Sequence, residues 1–144
     1  MKPGIASFLE CHRIAVVGVS RTSGFANVAL KELRERGYET FPVNEIADAV
    51  EGEPCYHSVA QVPGPVDGVL CVVPPAEAVR VVDDCARAGV KRLWLQRGSE
   101  SEEAVARARR AGIEPVAGAC ILMYARPRGI HRFHAFVERT FGRY

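Results

Sequence analysis

The stretch IAVVGVSRTSGF, Ile14 to Phe25, carries residues whose spacing suits an anion. Gly18 lets the backbone turn tightly and come close to a ligand. Two residues on, the Ser20 hydroxyl can donate a hydrogen bond to a phosphate oxygen, and Arg21 adds positive charge. If a helix begins here, its first N–H groups and its dipole favour an anion around Ser23 to Asn27. The dinucleotide fingerprint G-x-G-x-x-G is broken, because Ser20 stands where its second glycine belongs. The turn reads as a phosphate cradle whose ligand is left open.

Covalent chemistry has less support. Ser20 and Cys120 are the candidate nucleophiles, and His12, His57, His131 and His134 the candidate bases, but no G-x-S-x-G elbow occurs. His131 and His134 share a helix face at i, i+3. With no third ligand in sight, that pair suits packing or surface better than a metal, and no metal site is expected. Asp83 and Asp84 are expected on the solvated face of a helix. The five cysteines are an odd number without C-x-x-C spacing, and Cys71, Cys85 and Cys120 sit in apolar settings. They read as free thiols of a reducing compartment. No catalytic pair is expected.

Five strands and the helices between them must position these groups. Arg13 to Val19 is continuously apolar, the pattern of a strand buried on both faces. Asn27 to Arg36 follows as a helix with Leu30 and Leu33 on its apolar face, stopped by Gly37. YETFPV is the second strand, and Pro42 near its end fits an end or edge position. Glu45 to Pro65, rich in Gly and Pro, reads mainly as loop with a short helix near Ser58 to Gln61. DGVLCVV is the third strand, and Pro75 opens a helix that stops at Gly89. KRLWLQ is the fourth strand. Ser99 and Glu102 form a capping box for the next helix, which ends at Gly112. IEPVAG is the fifth strand. Residues 126–144 read as an amphipathic helix with Ile130, Phe133, Val137 and Phe141 on one face.

Strands alternating with helices imply one α/β domain: a doubly wound, Rossmann-like parallel sheet of five strands with helices on both faces. The expected order is 3-2-1-4-5, with a flavodoxin-like order as the alternative. Ligands of such sheets lie beyond the carboxyl ends of the strands. The segments arriving there are Gly18 to Asn27, Pro42 to Asn44, Val73 to Pro75, Gln96 to Ser99 and Gly118 to Cys120. Asn44 stands where an NAD domain usually has a carboxylate for the ribose, although Glu45 follows. That favours NADP or another 2′- or 3′-phosphorylated nucleotide. Val73 and Pro74 make a rigid apolar wall.

At 144 residues, with 48% hydrophobic and 25% charged, the chain has the balance of an ordinary globular domain. No apolar run is long enough to span a membrane, and the N-terminus lacks a signal-peptide pattern. A cytoplasmic protein with no membrane partner is expected. The net charge of +2 is too small to imply nucleic acid. From Arg126 onward there are five arginines against one glutamate, so the tail alone is basic.

Five stretches carry a resemblance: IAVVGVSR, LKELRERGYETFPVN, VDGVLCVVPP, AGVKRLWLQRG and GIEPVAGAC. In this order, over roughly Phe8 to Met123, the chain resembles the single-domain CoA-binding proteins. Their fold is similar to the CoA-binding domain of the succinyl-CoA synthetase alpha subunit. The resemblance implies coenzyme A across the strand ends. Gly18, Ser20 and Arg21 would line the diphosphate turn, and Pro42, Val43 and Asn44 would border the adenosine. Val73 and Pro74 would form a wall, and Gln96 and Gly98 would lie near the pantetheine path. Cys120 matches a family cysteine after the fifth strand, near enough to the CoA thiol for a mixed disulfide to be chemically conceivable. The synthetase's phosphorylated histidine lies outside its CoA domain and nothing here replaces it, so the ligase chemistry does not carry over.

The expected function is a non-catalytic CoA or acyl-CoA binding module, either sensing CoA or acting with a protein partner, as a monomer or weak homo-oligomer. The alternatives are an NAD(P)-binding redox domain and one subunit of a split acyl-CoA ligase.

Overall fold

The computed structural model describes residues 4–125. The expected helix over 126–144, with His131 and His134, lies outside the described residues. In chain order the elements are α1 (Ile5–Leu9), β1 (Arg13–Val17), α2 (Phe25–Glu35), β2 (Glu39–Val43), β3 (Ala49–Val50), β4 (Glu53–Pro54), β5 (Gly68–Cys71), α3 (Pro75–Ala88), β6 (Arg92–Gln96), α4 (Glu102–Arg110) and β7 (Glu114–Ala119). Short 3-10 turns occupy Val59–Gln61 and Ile121–Met123. The fold is the expected α/β one, a five-stranded parallel sheet with helices on both faces.

Apolar residues fill both faces of the strands. Ile14 and Val16 of β1, Leu70, Trp94 and Val116 face one layer with α1 and α2. Ala15, Val69, Cys71, Leu93 and Leu95 face the other, with α3, α4 and the turn at Val59. This is the physical meaning of the continuous apolar runs. The small helix α1, which the periodicity did not reveal, sets Phe8 edge-on to Trp94 at 5.4 Å between ring centroids.

The strand order is corrected. The sheet runs β2-β1-β5-β6-β7, so the five main strands lie in the order 2-1-3-4-5 rather than 3-2-1-4-5. The third main strand pairs with β1, Val17 opposite Cys71, on the side away from β2. The reason lies at the outer edge of β2. Pro42 has no N–H to offer a further strand, and its carbonyl accepts the Tyr56 N–H at 3.0 Å. Tyr56 then returns its carbonyl to the Asn44 N–H at 2.9 Å. Arg34 covers the rest of that edge, donating to the Thr40 hydroxyl and carbonyl and to both oxygens of Glu53. An edge sealed in this way takes no further strand. The chain instead reaches β5 by way of the β3–β4 hairpin, beside α2 and the edge of β2, and the turn Val59–Gln61 against α3; the Gly- and Pro-rich composition had concealed the hairpin.

The capping box is also corrected. The N-cap of α4 is Ser101, whose Oγ accepts the Ala104 N–H at 3.0 Å. Ser99 is buried and accepts the Val73 N–H at 3.1 Å, tying the end of β5 to the turn after β6. Replacing Ser101 by alanine should cost about 1 kcal/mol in urea unfolding. Glu102→Gln should cost less than about 0.5 kcal/mol, since Glu102 completes no box.

Candidate functional site

The turn after β1 is held by contacts specific to this sequence. Gly18 has φ +110°, and a Cβ placed there would lie 1.9 Å from the Val72 carbonyl oxygen. Only glycine lets the ends of β1 and β5 approach so closely. The next peptide, Val19–Ser20, is gripped at both ends. Its carbonyl accepts Asn44 Nδ2 at 2.8 Å, and its N–H donates to Asn27 Oδ1 at 2.8 Å. Asn27 Nδ2 returns to the Ser20 carbonyl at 2.8 Å and to Glu51 at 2.9 Å. Asn44 Oδ1 accepts the N–H groups of Ile46 and Ala47. The Ser20 hydroxyl accepts the Thr22 N–H at 3.2 Å. Lys31 and Asn27, bonded to its carboxyl, hold Glu51 below the usual glutamate range.

Beside this turn lies a cavity of about 570 Å³, at the carboxyl ends of β1, β2 and β5 and along α3. Of the expected residues, Gly18, Val43, Asn44, Val73 and Pro74 line it. Its size is that of a small-molecule site. Ser20, Arg21 and Asn27 belong to the neighbouring turn and are not among its walls. Pro42 faces a separate hollow of about 500 Å³ on the outer edge of β2.

The other expected residues end β6 and β7. Gln96 is buried, and its Oε1 accepts the Ile121 N–H at 3.1 Å. Gly98 donates its N–H to the Glu100 carboxylate, which also accepts the Gly118 N–H at 3.3 Å. Cys120 is partly exposed at the start of the last 3-10 turn.

Sequence reasoning missed Ile46, His57, Ser58, Arg80 and Arg87, all of which line the cavity. A signal existed for the helix: Glu77, Arg80, Val81, Asp84 and Arg87 repeat at helical spacing and form one stripe. Asp84, expected to face solvent, accepts the Val59 N–H at 3.0 Å. Asp83 pairs with Arg107 at 2.8 Å.

All five cysteines are free thiols. Burial pushes Cys71 up to about 12 and Cys11 up to about 11, and it raises Cys85 and Cys55 as well. Among the described residues no cluster of His, Cys, Asp and Glu could hold a metal ion, and no helix is long and apolar enough to cross a membrane.

A doubly wound parallel sheet with a cavity where its first and third main strands part is the architecture of a nucleotide-binding domain. The chain belongs to the CoA binding domain family, which matches residues 12–126. It is similar to a conserved hypothetical protein from Pyrococcus furiosus, with 41% identity and a TM-score of 0.72 over 78% of this chain and 97% of that one. It is also similar to a hypothetical protein from Pyrococcus horikoshii, with 33% identity and a TM-score of 0.78 over 83% of this chain and 86% of that one. Among curated proteins it is 29% identical to the alpha subunit of an ADP-forming acetate–CoA ligase of Pyrococcus furiosus, over 93% of this chain. The chain spans 30% of that subunit, and 11% to 18% of three further ADP-forming acetate–CoA ligases that it matches.

Two outcomes test this geometry. Asn27→Ala should lower unfolding stability by about 1–2 kcal/mol, because the half-buried Ser20 peptide loses its partners. Hydrogen exchange at the Ser20 amide should rise with it, and an unchanged rate there would contradict the bracket. Alkylation of the native protein should modify Cys120 first and leave Cys11, Cys71 and Cys85 intact until unfolding. Peptide mass mapping reads that order.

Proposed function

We propose that this chain is a CoA- or acyl-CoA-binding module without chemistry of its own, which senses the coenzyme or presents it to a protein partner. The observation that carries this reading is the cavity at the parting of β1 and β5, in a chain of the CoA binding domain family. The residues present fit the ligand. Val17, Val43, Val73 and Val81 supply apolar wall for an adenosine, and cationic side chains stand among them. Gly18, Ser20 and Arg21 form the diphosphate turn. Asn27, Asn44 and Gln96 act through the backbone they hold, since their amide groups are already bonded to it. Val43 borders the adenosine, Val73 and Pro74 wall it, and Gly98 and Cys120 flank the pantetheine arm, whereas Pro42 faces the separate hollow and takes no part.

Among the described residues no serine, threonine or cysteine side chain is bonded to a histidine. His57 bonds to Asp48, and the Ser20 hydroxyl lies with Thr22. The free thiols fit a reducing cytoplasm.

A second reading, one subunit of a split acyl-CoA ligase, draws on the ligase alpha subunit that aligns with nearly the whole chain. It requires ATP-dependent acyl-CoA formation when this chain is mixed with a ligase partner subunit, and none with either alone.

Titration calorimetry of the purified chain tests the first reading. CoA should bind saturably at one site, and NADPH should give no heat. Binding of NADPH but not CoA would replace the proposal with a redox-domain reading.

A further inference from the structure

The cavity beside β1, β2 and β5 carries charges of both signs. Its basic side chains are His57, Arg80 and Arg87, and its acids are Glu45, Glu77 and Asp84. Two of the basic groups are engaged. His57 Nε2 lies 2.9 Å from Asp48 Oδ1, and Arg87 lies 3.8 Å from Asp84. Arg80 differs: among the described residues it makes no hydrogen bond or ion pair. Acids stand within helical reach, Glu77 at i−3 and Asp84 at i+4, yet neither bridges to it. Asp84 already accepts the Val59 N–H and faces Arg87.

We propose that Arg80 recognises the ribose 3′-phosphate of CoA and sets the specificity of this site for CoA over ligands that lack that group. The inference rests on the CoA reading above. A guanidinium presents five N–H donors in a planar fork that matches phosphate oxygens two at a time. With the diphosphate at the β1 turn and the adenosine beside Val43 and Asn44, the ribose sits over the cavity that Arg80 lines. Glu45 and Glu77 bring negative charge to the same walls. A phosphate entering there needs a cation that no protein acid has claimed, and among the described residues lining the cavity that cation is Arg80.

The test is calorimetric titration of the whole chain with CoA and with dephospho-CoA, in the wild type, Arg80→Gln and Arg80→Lys. Arg109→Gln, on α4 and outside the cavity, serves as control. The wild type should prefer CoA by about 10- to 100-fold, the range of a charge-assisted hydrogen-bonded contact. Arg80→Gln should lose most of that preference with dephospho-CoA affinity unchanged, Arg80→Lys should keep part of it, and Arg109→Gln all of it. CoA binding with the preference intact in Arg80→Gln would overturn the role of Arg80 and leave the CoA reading standing. Equal wild-type affinity for the two ligands would do the same. A wild type that binds neither ligand would overturn both.

Discussion

The peptide between Val19 and Ser20 is the hinge of the whole carboxyl edge. Asn44 holds its oxygen and Asn27 its nitrogen, so one planar unit joins the end of β1 to the end of β2 and to the first turn of α2. Through Glu51, the same bracket reaches the β3–β4 hairpin and Lys31. Buried polar groups are costly to leave unpaired, and among the described residues no buried side-chain nitrogen or oxygen lacks a hydrogen-bond partner. This also explains the serine in place of a second glycine. The Ser20 N–H is already spent on Asn27, and its hydroxyl turns back to the Thr22 N–H. The turn keeps its shape through these side-chain bonds. Within this turn Gly18 is where the side chain has to vanish, because the Val72 carbonyl fills the space.

How much of this was legible follows from what each signal measures. Continuous apolar runs report burial on two faces, and the strands lie close to where those runs place them. The glycines at the helix-to-strand joints, Gly37, Gly89 and Gly112, all have positive φ, so a backbone requirement was written directly in residue type. Strand order is different, since periodicity says that a strand is buried but not which neighbour covers it. One residue did carry the answer. Pro42 marks an edge strand, and an order with the second strand inside the sheet conflicts with it. The structure resolves that conflict in favour of the proline.

The site was legible in part for a related reason. Gly18, Val43, Asn44, Val73 and Pro74 end strands, and strand ends converge by topology alone. The roles of Asn27, Asn44 and Gln96 were not legible, because an amide that would suit a ligand suits a backbone peptide equally well. Ser99 and Ser101 show the same ambiguity at two residues' distance. Both can cap a helix, and only the fold assigns one to α4 and the other to the Val73 N–H. His57, Ser58 and Ile46 come from a segment without periodicity, and nothing short of the hairpin's path places them on the cavity.

The carboxyl edge is therefore divided. Over β6 and β7 the protein satisfies itself: Gln96 takes the Ile121 N–H, the Trp94 indole N–H donates to the Ala119 carbonyl, and Glu100 takes two glycine N–H groups. Over β1, β2 and β5 the side chains brace the backbone from behind and leave a hollow in front. Such a division suits a long ligand with unlike ends. The polar, charged end requires the open half, where a guanidinium can still choose its partner. A slender neutral arm needs only a path across the closed half, whose polar groups are already paired and ask nothing of it. Selectivity in a site of this kind concentrates at the charged end, where the difference between a met and an unmet charge is largest.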